Sequence, residues 1–230
     1  KRGSKAYFFF IPIIILTLSI FIISKKVHYL SADPLGEKDC NPLIPNDAAN
    51  DRNTLKIQMP QLESLIPFVQ KGGTINDASC LNRTSIYGIV KVRSEEDIKK
   101  TLRFAKENNL KVSIAGVLHS MGGQAFAKNA IILDMTGFNR MSVDKDNKTL
   151  TVQSGATWHD IQNYLHPQNL AAKVMQSVDI FTVGGTISVN AHGMDHNVGS
   201  IVSTIRSLTI MMPNGEILTL SRTQNPLLFK

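Results

Sequence analysis

The sequence lacks the two loop signatures that most often mark a nucleotide-binding protein. No G-x-G-x-x-G opens a helix behind a strand, and no G-x-x-x-x-G-K-[ST] occurs in the 230 residues. The first absence argues against a nicotinamide-dependent enzyme of the single-helix type. If this chain binds a nucleotide, a different scaffold must hold the phosphates.

Cysteine is scarce, with only Cys40 and Cys80 in the chain. Two interpretations stay open: the cysteines form one disulfide on an oxidising side of a membrane, or both stay unpaired. Metal-ligand spacing is also absent, because His159 and His166 flank a short helix without further ligands gathered nearby. We therefore predict no metal site.

Positive charge is in excess, but it does not form a nucleic-acid-binding pattern. The formal net charge is +7 and the sequence pI is about 9.4. There is no basic stripe interleaved with aromatic residues and no nucleic-acid motif, so we expect no nucleic-acid partner. Five of the positive charges instead flank one apolar segment: Lys1, Arg2, Lys5, Lys25 and Lys26.

That apolar segment, residues 7–23, contains no charged residue. Its length is near the minimum for a helix that crosses a bilayer. A cleaved signal peptide is the alternative, but the stretch is longer than the usual apolar region, and Lys25-Lys26 follows in place of a small-residue cleavage site. We predict a basic flank at 1–6, a single-pass membrane anchor at 7–23, and a folded part on the extracytoplasmic side.

Residues 24–80 are predicted to form a linker, because much of this stretch is polar and rich in Pro, Asn and Asp. A short helix at 61–70 is expected within it. From residue 81 the pattern predicts an α+β fold with two subdomains, 81–150 and 151–230. Strands are predicted at 85–92, 110–115, 131–135, 141–144, 149–153, 205–212 and 216–220, a strand or an extended segment at 173–178, and helices after the caps Ser94 and Thr157.

Two glycine-containing stretches carry the functional signal. In residues 112–124 a short apolar strand stops at Gly116, and His119, Ser120, Gly122 and Gly123 follow. Successive backbone N–H groups in such a loop can hold a phosphate without any side chain. Residues 182–193 are predicted to form a second loop of the same kind, so that the two loops bind the pyrophosphate of a dinucleotide from two sides.

These blocks resemble a known flavoprotein family. The matching segments are Ala115-Gly116-x-x-His119-Ser120-x-Gly122-Gly123, then Ser154-Gly155-Ala156-Thr157-Trp158, then Thr182-Val183-Gly184-Gly185-x-Ile187-Ser188-x-Asn190-Ala191-His192-Gly193. Together they resemble the PCMH-type FAD-binding domain of the vanillyl-alcohol oxidase / p-cresol methylhydroxylase family. The His-Ser pair of the first block is most similar to the sugar-lactone and polyol oxidases of that family.

The resemblance implies a site for FAD. The pyrophosphate would lie on Gly116 to Ser120 with Gly122, and the flavin nucleotide would contact the second stretch. In many members a histidine at the place of His119 is bonded covalently to the flavin; here that bond and a mere hydrogen-bonding role both stay open, because Val117-Leu118 is bulkier than the usual loop. The predicted cofactor-binding residues are Ala115, Gly116, Val117, Leu118, His119, Ser120, Met121, Gly122, Ser177, Thr182, Gly184, Gly185, Ser188, Val189, Asn190, Ala191 and His192.

The resemblance further implies an oxidoreductase that oxidises an alcohol, polyol or sugar lactone by hydride transfer to flavin N5. Together with the anchor predicted at 7–23, this gives a membrane-anchored enzyme. Oxygen or a membrane carrier would accept the electrons. In this family a second, C-terminal domain holds most of the substrate, and this chain is expected to be part of a longer product, so no catalytic side chain is assigned. The alternative is a truncated or degenerate flavin domain without activity, acting as an anchored binding module.

Overall fold

The computed structural model describes Ser19 and residues 57–229. The strands are β1 (Phe68–Lys71), β2 (Thr74–Ile75), β3 (Thr84–Ser85), β4 (Gly88–Lys91), β5 (Val112–Ala115), β6 (Ile131–Asp134), β7 (Met141–Asp144), β8 (Thr149–Val152), β9 (Ser207–Met211) and β10 (Ile217–Ser221). The helices are α1 (Pro60–Ser64), α2 (Glu95–Glu107), α3 (Trp158–Leu165), α4 (Val183–Ser188) and α5 (Pro226–Phe229). The predicted mixture of helices and strands is confirmed.

A four-stranded sheet in the order β1-β4-β6-β5 organises the first part of the described chain. Strands β4, β6 and β5 are parallel, and β1 is antiparallel to β4. Alternate residues of β6 enter different cores: Ile131 and Leu133 pack with Phe104 of α2, whereas Ile132 packs with Ala115 and the partly buried Leu118. Both faces are therefore covered at β4 and β6, which explains their continuous apolar sequences, whereas Ile114 of the edge strand β5 is exposed.

Helix α2 begins where the sequence predicts. The Ser94 hydroxyl accepts a hydrogen bond from the Asp97 N–H at 3.2 Å, and the Asp97 carboxylate accepts one from the Ser94 N–H at 2.9 Å. This reciprocal capping box satisfies two backbone donors that the first turn of a helix leaves without partners. The buried face of α2 carries Thr101, Phe104 and Ala105.

The second part of the described chain has a core of its own. Thr157 and Asp160 form a capping box at the start of α3, as predicted. The predicted hairpins are also confirmed, as the antiparallel pairs β7–β8 and β9–β10. The buried core residues are Trp158, Ile161, Leu165, Val174, Val183 and Ile201.

Two local predictions are wrong, and at a third place one of two predicted alternatives, a strand, is not formed. The helix expected at 61–70 ends at Ser64, and β1 follows, because the chain turns so that Ile66 can enter the core beneath α2. Residues 57–80 are folded rather than linker, since Ile75 is buried against the other face of the sheet. Residues 173–178 form no regular strand.

Within Ser19 and residues 57–229, no helix combines the length and apolar character needed to cross a membrane. The predicted anchor at 7–23 lies outside the described residues except for Ser19, which is helical. Cys80 is disulfide-bonded, and the only other cysteine of the sequence, Cys40, lies outside the described residues.

Candidate functional site

The glycine loop, which we define as residues 116–123, follows β5 and is confirmed as irregular backbone. Three of its residues have left-handed backbone conformations: Leu118 with φ 61°, Met121 with φ 58° and Gly123 with φ 70°. Such values are uncommon outside glycine. Two non-glycine residues in this conformation within four positions give the loop a sharply curved path.

Most backbone N–H groups of this loop have no partner within the described residues. Gly122 N donates to Gln124 Oε1 at 3.0 Å, and Gly123 N donates to Asp77 Oδ2 at 2.8 Å. For the five consecutive N–H groups of residues 117–121, the described part of the chain offers no acceptor. A curved run of unpaired N–H groups is the arrangement that binds phosphate oxygens in backbone nests.

A second segment, the support turn (residues 76–82), holds the glycine loop in place. Ala78 N donates to the Leu118 carbonyl at 2.9 Å, and Asn82 Nδ2 donates to the Met121 carbonyl at 3.3 Å. The carbonyls of both left-handed, non-glycine loop residues are thus fixed by the same turn. The predicted site residues do not include this segment; its signal in the sequence is the run Asn76-Asp77-Ala78-Ser79, which is rich in turn-forming side chains.

Asp77 is the centre of the support turn. Its side chain is 2% exposed. Oδ1 accepts hydrogen bonds from Ser79 N and from the Ser79 hydroxyl, and Oδ2 accepts from Asn82 Nδ2 and Gly123 N. Burial, the largest single influence, opposes ionisation, but the hydrogen bonds from Ser79, Gly123 and Asn82 together outweigh it and lower the pKa of Asp77.

In the second glycine-containing stretch, residues 183–188 form a short helix, α4, rather than the loop that the sequence predicts, whereas residues 189–193 form no helix or extended strand. Thr182 caps it by accepting a hydrogen bond from Gly185 N, while Val183 N donates to Ala156 O and Gly184 N to Ser154 O. A Cβ on Gly184 would lie 2.9 Å from Ser154 Cβ. Gly184 therefore permits close packing of α4 against residues 154–156, and its N–H is already satisfied.

The two predicted stretches meet at the start of the glycine loop. A Cβ added to Gly116 would overlap the Thr182 hydroxyl. The His119 ring stands edge-on to Phe181, with 5.3 Å between the ring centroids and 70° between their planes. The structure thus brings the strand-following loop and the cap of α4 into direct contact, and one extended ligand can reach both.

The comparison with known families agrees with this geometry. A family described as FAD binding domain matches residues 86–221, a span that contains the glycine loop, the 154–158 block and α4. The chain belongs to this family of FAD-binding domains.

Curated relatives of this FAD-binding domain are oxidoreductases. Cytokinin dehydrogenase 2 of Arabidopsis thaliana is 28% identical over 184 residues, covering 77% of this chain and 36% of the relative. D-lactate dehydrogenase of Anaerostipes hadrus is 27% identical over 161 residues, covering 66% and 34%. L-gulonolactone oxidase of Mus musculus is 29% identical over 135 residues, covering 58% and 30%. The chain therefore spans about a third of each of these relatives.

The glycine loop of this FAD-binding domain fits the pyrophosphate of FAD. A pyrophosphate is strongly anionic and needs several donors at close range, and the loop supplies five successive N–H groups. The N–H of Gly122, which the sequence assigns to the cofactor, is taken by Gln124 instead. The donor set that fits best is therefore residues 117–121.

His119 has one ring nitrogen in use in this FAD-binding domain. Nδ1 lies 2.6 Å from the Val117 carbonyl, and the side chain is partly buried beside Phe181. In the neutral tautomer that donates through Nδ1, Nε2 keeps its lone pair. Covalent attachment of the flavin to this ring stays a prediction.

The other predicted cofactor residues differ in exposure. Asn190 has φ 46°, and its Oδ1 accepts from Val202 N, while the exposed His192 places Nδ1 2.9 Å from the Gly193 carbonyl. Their contacts with FAD stay predictions. Ala115 and Thr182 are buried, and Gly116, Val117, Leu118, His119, Gly184 and Ala191 are partly buried. The exposed members are Ser120, Met121, Gly122, Ser177, Gly185, Ser188, Val189, Asn190 and His192.

Proposed function

We propose that this protein is a membrane-anchored, FAD-dependent oxidoreductase that oxidises an alcohol, polyol or sugar-lactone substrate. The observation that carries the proposal is the glycine loop, whose residues 117–121 present five N–H groups without partners in the described chain, within an FAD-binding domain. When bound, FAD supplies the chemistry by accepting a hydride from a substrate C–H bond.

The protein's part in this proposal is to bind and orient the cofactor. The N–H groups of the glycine loop hold the pyrophosphate, and the contact of Gly116 with Thr182 sets the distance between this loop and α4. His119, held by Val117 and Phe181, stands where the two segments meet. It either forms a covalent bond to the flavin or orients it through a hydrogen bond.

The substrate class is supported by the relatives. They include an L-gulonolactone oxidase and a protein named putative D-arabinono-1,4-lactone oxidase from Neurospora crassa, the latter 25% identical over 194 residues. A D-lactate dehydrogenase is a relative as well, so a small hydroxy acid belongs to the same class of CH–OH substrates. No side chain of this chain is assigned as the base that takes the hydroxyl proton.

The membrane part of the proposal comes from the sequence alone. Residues 7–23 carry no charge and lie between clusters of basic residues. We propose that they anchor the protein, with the FAD-binding domain on the extracytoplasmic side. The acceptor of the electrons is then oxygen or a carrier dissolved in the membrane.

An absorbance spectrum of the purified full chain, before and after acid precipitation, tests the proposal. We expect flavin bands in the native sample. Colour that stays in the precipitate indicates a covalent bond, which His119→Ala should abolish; colour in the supernatant leaves a flavoprotein without that bond. Absence of flavin, even after incubation with FAD, contradicts the proposal and favours an anchored module without redox chemistry.

A further inference from the structure

A buried carboxylate beside an anion-binding loop needs a physical explanation. Asp77 is 2% exposed, and one of its oxygens accepts the N–H of Gly123, the last residue of the glycine loop. A negative charge at this place repels the phosphates that the loop is proposed to bind. Its charge is therefore unfavourable for phosphate binding unless Asp77 also stabilises the conformation of the glycine loop.

The contacts show what Asp77 does. Its Oδ2 joins Gly123 N at 2.8 Å to Asn82 Nδ2 at 2.9 Å, and the same Asn82 amide reaches the Met121 carbonyl. Its Oδ1 accepts a hydrogen bond from the Ser79 N–H at 3.0 Å, within the support turn itself. One carboxylate thus connects the support turn to the C-terminal end of the glycine loop.

The loop needs such a connection because its conformation is unfavourable by itself. Leu118 and Met121 are left-handed, at φ 61° and 58°. A non-glycine residue in this conformation is less stable than one in ordinary backbone, so a free loop would relax away from this shape. A loop that is already shaped before the ligand arrives binds it more tightly, because no ordering remains to be done.

We propose that Asp77 is a positioning residue: it holds the glycine loop in its phosphate-binding shape and thereby sets the affinity for the pyrophosphate part of FAD. This inference rests on the FAD binding proposed above. Asp77 does not touch the cofactor itself. It takes the N–H of Gly123 at the loop end and leaves the N–H groups of residues 117–121 for the ligand.

The charge state of Asp77 suits this role. In all four hydrogen bonds that the described residues make with its carboxylate, Asp77 is the acceptor. The donors are Ser79 N, Ser79 Oγ, Asn82 Nδ2 and Gly123 N. In Asp77→Asn the new amide group must face either the Gly123 and Asn82 donors or the Ser79 N–H. In either orientation the amide N–H₂ faces another N–H donor. The variant therefore keeps the shape of the side chain but loses the hydrogen bonds of one of its two oxygen positions.

Asp144 provides a matched control. Its carboxylate also accepts a backbone N–H and a side-chain amide, both from Asn147, and these hydrogen bonds lower its pKa as well. It is the exposed last residue of β7, and its side-chain hydrogen bonds go to Asn147 of the β7–β8 turn, not to the glycine loop or the support turn. Asp144→Asn therefore makes the same chemical change at a turn outside the site.

The test is a titration of the flavin-free full chain with FAD, ADP and riboflavin at pH 7, followed by fluorescence. We expect Asp77→Asn to weaken FAD and ADP about tenfold or more, as loss of a hydrogen bond to a charged group does. Riboflavin, which has no pyrophosphate, should bind as it does to the wild type. Asp144→Asn should leave all three ligands unchanged.

Two results overturn the inference: wild-type affinity of Asp77→Asn for FAD and ADP, or an equal loss for all three ligands, which marks Asp77 as a general structural residue. If Asp77→Asn does not fold, Asn82→Ala removes the neighbouring contact to Met121 O and should weaken FAD and ADP in the same selective way; an unselective or absent effect contradicts the proposal. Failure of the wild type to bind FAD refutes the proposed function instead.

Discussion

Gly116 is the residue at which one added carbon should disturb the site most directly. In Gly116→Ala the new Cβ would overlap the Thr182 hydroxyl, so the glycine loop and the cap of α4 must move apart. We expect overpacking to lower the free energy of unfolding by about 1–3 kcal/mol and the affinity for FAD to fall. Chemical unfolding and an FAD titration measure the two effects.

Gly137→Ala is the control for that substitution. Its Cβ would lie 2.7 Å from the Val92 carbonyl, in a crowded place that the predicted cofactor residues do not share. It should destabilise the fold comparably and leave the affinity for FAD unchanged. Equal effects of the two variants on FAD affinity would show that Gly116 acts only through stability.

Asp77 also makes a prediction about acid stability. Its pKa is lowered in the folded protein, so its ionised form contributes stability at pH values above the unfolded pKa of about 3.9. That contribution is lost as the pH falls through the lower folded pKa. Urea unfolding at pH 7, 4 and 3 should therefore show a shallower loss for Asp77→Asn than for the wild type. Parallel losses would mean that Asp77 titrates alike in both states.

Site residues that could be predicted from the sequence lie close together along the chain, whereas those that could not be predicted contact residues far away in sequence. Gly116, His119 and Gly122 stand within one short stretch, so their pattern alone predicted a phosphate loop. The contact of Asp77 with Gly123 spans 46 positions and that of Asn82 with Met121 spans 39. Local pattern carries no information on such pairs, which only the folded chain brings together.

At the scale of elements, capping was predicted well and α4 was not. The capping boxes at Ser94 and Thr157 are confirmed. They could be predicted from the sequence because each is complete within four residues. The pair Gly184-Gly185 favours a loop, since glycine is a poor helix former. Tertiary contacts override that preference: Ala156 and Ser154 accept the first N–H groups of α4, and Thr182 caps it.

One hydroxyl connects α3 to α4. Thr186 Oγ1 accepts from Trp158 Nε1 at 2.9 Å and lies 2.6 Å from Gln176 Oε1. The same hydroxyl also lies 2.9 Å from the Thr182 carbonyl. Thr186→Val removes all three contacts and leaves the indole N–H buried without a partner, so we expect the free energy of unfolding to fall by about 1–3 kcal/mol. Trp158 is the only tryptophan in the chain, and its fluorescence follows the unfolding.

Thr209→Val, at an exposed position of β9, is the control for this change. It should alter the free energy of unfolding by no more than about 0.5 kcal/mol. A similarly small effect of Thr186→Val would mean that the α3–α4 connection depends on apolar packing alone.

At the scale of the whole molecule, regular periodicity predicted most of the fold from residue 85 onward. The start of the folded part was placed too late, because the apolar side chains of residues 57–80 follow neither a sustained helical nor a strand period. Two of them, Ile66 and Ile75, enter cores that residues 86–135 build. A segment that completes another segment's core is hard to recognise before that core is known.

The proposed anchor makes a prediction at this scale as well. Deletion of residues 1–26 removes the uncharged stretch and its basic flanks, so the variant should leave the membrane fraction. Binding of FAD should persist, because the described domain contains the glycine loop and α4. Fractionation after an alkaline wash measures the change. A deletion variant that still sediments with membranes would contradict the anchor.

The proposed function depends most directly on the N–H groups of residues 117–121, which we propose hold the pyrophosphate of FAD. Hydrogen exchange of the full chain, alone and with saturating FAD or riboflavin, measures these groups directly. We expect slower exchange in the peptide that contains residues 117–121 with FAD, and no change there with riboflavin. Bound FAD that leaves exchange in this peptide unaltered would contradict it.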